Sequence, residues 1–301
     1  MNYLVIDVGG SAIKYALMND DYEMLEKGKI PTPKASEGAT KEDFINAVKE
    51  LYLKYKDEVE GIAMSLPGLY NKKTKVIQIP GALDYNQNVD ILAELKKATT
   101  DHVVIENDAK CAALCEVARG ALKGTDVGAV CILGTGIGGG ITIGNEVFVG
   151  AHGFAGEFSY LHTRWNEPFN SFDKAWAMEA GAVGLVCKIL AACDEDPKSM
   201  DGLKAFELCN SGDKRALGAL KEFTDLTARG LYNLQATFDP DKIAIGGGIS
   251  QQPILLEYIQ KSLDEIYKSM PVPIPQVQIV PCQYFNDSNL IGALVKYKET
   301  F

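Results

Sequence analysis

Two stretches constrain the fold of this chain more than any others: Val5-Ile6-Asp7-Val8-Gly9-Gly10-Ser11-Ala12-Ile13-Lys14 and Cys131-Ile132-Leu133-Gly134-Thr135-Gly136-Ile137-Gly138-Gly139-Gly140. Each is an apolar run, a glycine turn carrying a hydroxyl residue, and a second apolar run. Each reads as a β-hairpin with a bare polar tip. Glycines let the backbone approach a ligand closely, and successive N–H groups at such a turn form a nest for anionic oxygens. A tight turn with no ligand is the plain alternative for either tip alone. Two tips with hydroxyls at Ser11 and Thr135 point instead to a phosphate clamp in two halves, hence to ATP and phosphoryl transfer.

Two other phosphate motifs are excluded. Gly134-x-Gly136-x-x-Gly139 matches the dinucleotide fingerprint, but that motif must open a helix, and Gly140-Ile141-Thr142-Ile143 reads as a strand. No Walker A sequence is present, since Gly28-Lys29 runs into Ile30 without the upstream glycine.

The length of 301 residues suits two domains, and 47% hydrophobic content supports real cores. The net charge of −10 argues against nucleic-acid or anionic-membrane partners. Seven cysteines form no even framework, so reduced thiols in the cytoplasm are expected rather than a disulfide scaffold. The chain opens on a strand without a charged leader. No apolar run approaches the roughly 18 residues of a membrane span.

Along the chain, strands are expected at Leu4–Asp7, Ile13–Leu17, Gly61–Leu66, Val76–Ile79 and His102–Ile105. Gly28–Gly38 reads as a connection. Thr40 with Asp43 marks a helix start, and Phe44, Ile45, Val48, Leu51, Tyr52 and Tyr55 share its apolar face. A polar loop from Gly81 to Asn88 precedes a helix at Val89–Lys97, and another helix runs from Ala109 to Ala121. From Val127 a second unit repeats the order of hairpin, sheet and helices. Its helices are expected at Lys174–Ala192, Asp213–Phe238 and Pro253–Lys268, with strands at Lys242–Ile245 and Val277–Val280. The charged stretch Asp194–Asp201 reads as a solvated loop, and Leu290–Tyr297 as a last helix. The repetition implies an internal duplication.

Asp108 follows a buried strand at the start of a helix. A helix N-cap is the common use of such a residue; the alternative is a general base aimed at a hydroxyl, kept ionised by the helix N-terminus. Asn107 offers a donor and an acceptor to a polyhydroxyl substrate. Glu157, in a glycine-rich loop, is either a solvated acid or an acceptor for sugar hydroxyls. Gly246-Gly247-Gly248 is either a plain turn or a place of close backbone approach to a flat or anionic group. His102, His152 and His162 are too scattered for a metal site, and Cys111 and Cys115 read as core.

Taken in order, Asp7-x-Gly9-Gly10-Ser11-x-x-Lys14, Glu106-Asn107-Asp108, Gly134-Thr135-Gly136-x-Gly138-Gly139-Gly140, Gly156-Glu157 and Gly246-Gly247-Gly248 resemble the ROK sugar kinases nearly end to end. The resemblance implies an α/β, actin-like ATPase fold of hexokinase type, duplicated, with ATP between two lobes and a sugar in the cleft. The lobes would span 1–110, with a C-terminal helix at 288–301 packed back on it, and 111–287. It implies an ATP-dependent kinase acting on the 6-hydroxyl of glucose, N-acetylmannosamine or a β-glucoside, with Asp108 as base. Asp7 would lie near Mg²⁺. Gly9, Gly10, Ser11, Lys14, Gly134, Thr135 and Gly136 would hold the nucleotide's phosphates, and Gly247 its adenosine. Gly68, Gly81, Asn107, Asp108, Glu157 and Glu179 would bind the sugar. A homodimer is usual for such kinases.

One departure concerns a zinc loop. Many members carry a histidine three residues after the glutamate, then C-x-C-G-x-x-G-C; here that position is Tyr160, and Arg164–Glu179 contains no cysteine. Four N or S ligands are missing, so no zinc is expected, and the loop should be held by Trp165, Phe169, Phe172 and Trp176. His162 lies two residues beyond the lost histidine, which argues against its taking over that role. The zinc-free members resembled are β-glucoside and N-acetylmannosamine kinases. A non-catalytic, sugar-sensing regulator of the same family is the alternative. Such regulators carry a DNA-binding module ahead of the first hairpin, whereas this acidic chain starts at it. Another actin-like ATPase is the third reading; Asn107-Asp108 and Glu157 argue against it.

Overall fold

A computed structural model describes residues 1–164 and 166–301, and these fall into two compact units. The first comprises residues 1–118, 147–155 and 286–301, and the second residues 119–146 and 156–285. In chain order the elements are β1 (Asn2–Val8), β2 (Ala12–Asn19), β3 (Met24–Pro31), α1 (Lys41–Tyr55), β4 (Ile62–Leu66), β5 (Leu69–Asn71), β6 (Val76–Ile79), α2 (Ile91–Ala98), β7 (Val103–Asn107) and α3 (Asp108–Arg119). There follow β8 (Val127–Leu133), β9 (Ile137–Ile143), β10 (Glu146–Val147), α4 (Trp176–Glu179), α5 (Ala182–Ala192), α6 (Gly202–Asn210), α7 (Lys214–Phe238), β11 (Lys242–Gly246), α8 (Pro253–Lys268), β12 (Gln278–Pro281) and α9 (Ser288–Thr300).

The sheet of the first unit has the order β3-β2-β1-β4-β7, and that of the second β10-β9-β8-β11-β12. Numbered within each five-stranded sheet, both read 3-2-1-4-5. Each opens with an antiparallel pair, β1 with β2 and β8 with β9, and continues with parallel strands. The duplication inferred from the repeated glycine hairpins is therefore present in the topology, although the two halves share little literal sequence. β4 is buried at all five positions and β11 at four of five. A strand covered on both faces has no use for a polar alternation, which is why β4 is apolar except at Ser65 and β11 is apolar from Ile243 to Ile245.

In the first unit α1 lays Phe44, Val48 and Leu51 into a core shared with Leu4, Ile6 and Ile62. Its N-terminus is fastened as the Thr40/Asp43 spacing predicts: the Asp43 carboxylate accepts from the Thr40 N–H at 2.8 Å and from its hydroxyl at 2.9 Å. α9 packs on β1, β4 and β7, where Leu290, Ile291 and Leu294 are buried. In the second unit α7 is the central helix, with α5, α6 and α8 packed along it.

Two expectations need correction, and one helix has no counterpart among them. The stretch 28–38 is not all connection, because its first part ends the edge strand β3. Gly28 there is no breaker: it stands opposite Tyr15, whose ring lies where a Cβ would be. The helix expected over 174–192 is broken into α4 and α5. Gly181 is extended between them, with the Thr135 carbonyl 2.3 Å from where its Cβ would stand, and the Ala182 N–H donates to the Gly134 carbonyl at 2.7 Å. Docking against the second glycine tip thus overrides helix continuity. Helix α6 was not read from the sequence at all; Asp201 caps it, accepting from the Lys204 N–H at 3.0 Å.

Candidate functional site

The first unit gathers one half of the candidate residues at the carboxyl ends of β1, β4 and β7. Strand register puts Lys14, Asp7, Ser65 and Glu106 in one row across the sheet. Asp7 is almost fully buried; its Oδ1 accepts from Ser65 Oγ at 2.9 Å and from Asn289 Nδ2 at 3.0 Å, and its Oδ2 lies 3.8 Å from Lys14 Nζ. The neighbouring Cys111 thiol is pushed well above its ordinary value, first by burial and then by the carboxylates of Glu106, Asp7 and Asp108. That clustering makes the end of the sheet electronegative.

Asn107 ends β7 and ties two elements together. Its amide nitrogen donates to the Gly68 carbonyl at 2.9 Å, and its own oxygen accepts from the Lys110 N–H at 3.2 Å. It is therefore Asn107 that caps the first turn of α3, while Asp108 is the first helical residue, its Oδ1 accepting from the Ala109 N–H at 2.8 Å. Gly68 has φ of +97°, and a Cβ there would stand 2.2 Å from the Ile79 carbonyl, so the turn after Pro67 requires glycine. Gly81 touches Gly68, and Ala82 beside it meets Gly10 at the tip of the first hairpin. Gly10, Gly81, Gly68, Asn107 and Asp108 thus form a continuous chain of neighbours. Gly68 and Asn107 also border a recess whose charged lining is Lys72, Glu106 and Lys110.

The second unit gathers the other half. The tip is closed by the Gly134 N–H donating to the Gly136 carbonyl at 2.9 Å. Gly247, with φ of +98°, lies against Leu133, and a side chain there would meet the Leu133 carbonyl at 2.1 Å. Thr135 is held by Gly181, two residues past Glu179, and Gly156, which precedes Glu157, lies on Gly139 and Gly140. The Glu179 carboxylate is engaged within the same unit: Oε1 accepts from Arg164 Nε, and Oε2 from Thr163 Oγ1 at 3.4 Å. That hydrogen bond raises the Arg164 guanidinium above its ordinary value.

Of the aromatic residues expected to hold the loop after Glu157, Trp176 is fully buried against Gly230 of α7. Phe169 and Phe172 are half exposed, and each meets one ring, His162 at 5.2 Å and Tyr160 at 5.1 Å between centroids. Trp165 lies outside the described residues. Among the described residues no three His, Cys, Asp or Glu side chains are gathered as a metal cluster. A magnesium ion carried in with a nucleotide does not need one, since it takes one or two carboxylates and completes its shell with phosphate and water. Asp7, with Oδ1 engaged by neutral donors, fits that use.

A family model described as the ROK family matches residues 3–299. The chain belongs to that family. A β-glucoside kinase of Listeria innocua is 33% identical over 99% of this chain and 97% of its own length. A ROK family protein of Streptococcus pneumoniae, solved in complex with sucrose, is 29% identical, with a TM-score of 0.85 over 100% of this chain and 99% of that one. The ROK hexokinase of Thermus thermophilus is 27% identical, with a TM-score of 0.80 and the same coverage. The duplicated fold is the hexokinase-type, actin-like one, and this ROK chain is a sugar phosphotransferase.

Sequence reasoning missed four residues of the site. Ser65 and Asn289 on Asp7 carry no motif, and Asn289 is 282 residues away from its partner. Arg164 beside Glu179 follows from no spacing rule. Lys110 is buried in α3, its ammonium donating to the Gly153 carbonyl at 2.8 Å and fastening the 147–155 segment to the first unit. A lysine among the small residues of Ala109–Ala113 was the one available signal. Among the described residues no helix is long and apolar enough to cross a membrane.

Proposed function

We propose that this chain transfers the γ-phosphoryl group of ATP to the 6-hydroxyl of a hexose or hexose derivative: glucose, N-acetylmannosamine or a β-glucoside. Asp108 is the base. It accepts the proton of the 6-hydroxyl as the O6–P bond forms and the bond from the γ-phosphorus to the bridging oxygen breaks, releasing ADP. The observation that carries this reading is the division of labour at the end of β7. Asn107 supplies the helix cap and holds Gly68, which makes Asp108 the first residue of α3, next to the side chain that fixes the Gly68 turn.

Gly68, Gly81, Asn107, Glu157 and Glu179 orient the sugar. Gly9, Gly10, Ser11, Lys14, Gly134, Thr135 and Gly136 hold the phosphates through backbone N–H groups, hydroxyls and one ammonium. Gly247 supports the adenosine. Asp7 serves the Mg²⁺ that accompanies ATP, and that ion, when bound, neutralises charge on the phosphate oxygens. Tyr160 in place of the family's histidine leaves room for a substituent at C1 or C2, and the similarity to a β-glucoside kinase favours glycosides.

The test is ADP release across a panel of glucose, N-acetylmannosamine and β-glucosides, with the wild type and Asp108→Asn. General-base assistance is worth about 10²–10⁴-fold. The variant should lose turnover by that order with little change in sugar binding, and unchanged turnover would refute the assignment.

A further inference from the structure

We propose that Asn289 and Ser65 are positioning residues for Asp7: by donating together to Oδ1 they turn Oδ2 outward as the one oxygen offered to the nucleotide's divalent cation. The inference rests on the reading that Asp7 serves that cation.

The geometry is specific. Ser65 stands beside Asp7 in the β1/β4 register and reaches Oδ1 at 2.9 Å. Asn289, from the first turn of α9, reaches the same oxygen at 3.0 Å. The asparagine's own oxygen accepts from Ser288 Oγ at 3.4 Å, which directs the amide nitrogen toward Asp7. A carboxylate oxygen has two lone pairs, and both of these are taken by neutral donors. The neighbour of Oδ2 is the Lys14 ammonium, at 3.8 Å, beyond hydrogen-bond distance and on a side chain about half exposed. Asp7 is therefore locked in rotation at one oxygen and loosely accompanied at the other.

Magnesium makes this matter. It demands near-ideal octahedral geometry and takes only one or two protein carboxylates beside phosphates and water. With one protein ligand, the aim of that ligand sets the protein's share of the affinity. Partners of metal ligands typically change metal affinity about 10–100-fold when removed. The competing explanation is that these hydrogen bonds only fasten α9 to the sheet. α9 already buries Leu290, Ile291 and Leu294, so its docking does not need them.

The test uses Mn²⁺ as the probe, titrated by electron paramagnetic resonance against the full chain saturated with ADP, so that no turnover is involved. Thermal midpoints are recorded in parallel. Asp7→Asn should lose the ADP-dependent Mn²⁺ site. Asn289→Leu and Ser65→Ala should each weaken Mn²⁺ about ten-fold, with ADP affinity measured in EDTA unchanged. Loss of the site in Asp7→Asn with wild-type Mn²⁺ affinity in the other two variants overturns the inference and leaves the role of Asp7 standing. Unchanged Mn²⁺ binding in Asp7→Asn overturns both. Should Asn289→Leu fail to fold, Ser65→Ala decides alone, because it removes one hydroxyl from a residue that fits alanine's space.

Discussion

The side chain of Asn107 bridges Gly68 and Lys110, donating to the carbonyl of one at 2.9 Å and accepting from the N–H of the other at 3.2 Å. One amide therefore fixes both the start of α3, where Asp108 sits, and the glycine turn after β4. The two duties separate by substitution. Asn107→Ala loses the cap and the bridge, and should cost about 0.5–2 kcal/mol of stability together with a raised KM for sugar. Asn107→Asp keeps an acceptor for the Lys110 N–H but cannot donate to Gly68. It should melt near the wild type in a denaturant titration while still raising KM. If both variants bind sugar as the wild type does, Gly68 and Asn107 are not part of the sugar site.

Arg164 and Glu179 form a charge-assisted pair through Nε and Oε1 in the second unit. Both side chains are half-buried, so the pair is screened somewhat less than a fully exposed one. On the proposed reading Glu179 faces sugar hydroxyls, and Arg164 sets the direction in which it does so. Arg164→Met should raise sugar KM by roughly ten-fold, equivalent to about 1.4 kcal/mol, with a smaller change in kcat and in the KM for ATP. Steady-state kinetics with each substrate varied in turn measure this, and an equal rise in both KM values would refute it.

What was legible in the sequence was whatever is local. The two glycine hairpins, the largely apolar β4 and β11 and the Thr40/Asp43 helix start each depend on residues close in the chain, and the structure has each of these elements. The duplication was legible because the hairpins recur, although only the matched strand order demonstrates it. What failed depends on distant partners. The glycine and lysines of β3 suggested a linker because an exposed edge strand is built of such residues. The break between α4 and α5 follows from the docking of Gly181 on Thr135, and no periodicity within 174–192 announces it. At the candidate site the same division holds. Asn107 and Asp108 stand out as a dipeptide after a strand, whereas Asn289 becomes a neighbour of Asp7 only when the last helix folds back on the first strand.

Asp213 caps α7, accepting from the Arg215 N–H at 2.8 Å and from the Ala216 N–H at 3.4 Å. Its carboxyl is held below the ordinary value of 3.8, first by the Arg215 side chain and then by those backbone groups. A carboxyl depressed in the folded state binds its proton more readily when unfolded. Its contribution to stability is thus present above pH 3.8 and is lost as the pH falls through the lower folded value. Asp213→Asn retains a capping oxygen but not the charge. The wild type should melt above this variant near neutral pH, and the difference should close in acid. The effect is modest because the group is partly exposed and solvent screens its charge. A gap between the two melting curves that persists unchanged to the most acid pH would exclude the charge as its source.

All seven cysteines are free thiols, and they differ sharply in environment. Burial pushes Cys131 up to about 12 and Cys209 up to about 11, and it raises Cys111 and Cys193 as well. Cys282 and Cys115 are also buried, which leaves Cys187 as the partly exposed thiol, its Sγ 3.3 Å from the Pro197 carbonyl. The thiolate is the reactive species, and it must be reached by the reagent. Native protein treated with an aromatic disulfide reagent at neutral pH should therefore release one equivalent of thiolate chromophore quickly. The remaining six should react only on unfolding, for a total of seven. Cys187→Ser should remove the fast phase without shifting the melting temperature, since Cys187 buries little. A fast phase of two or more thiols in that variant would mean that the helices over the buried cysteines open readily in the native state.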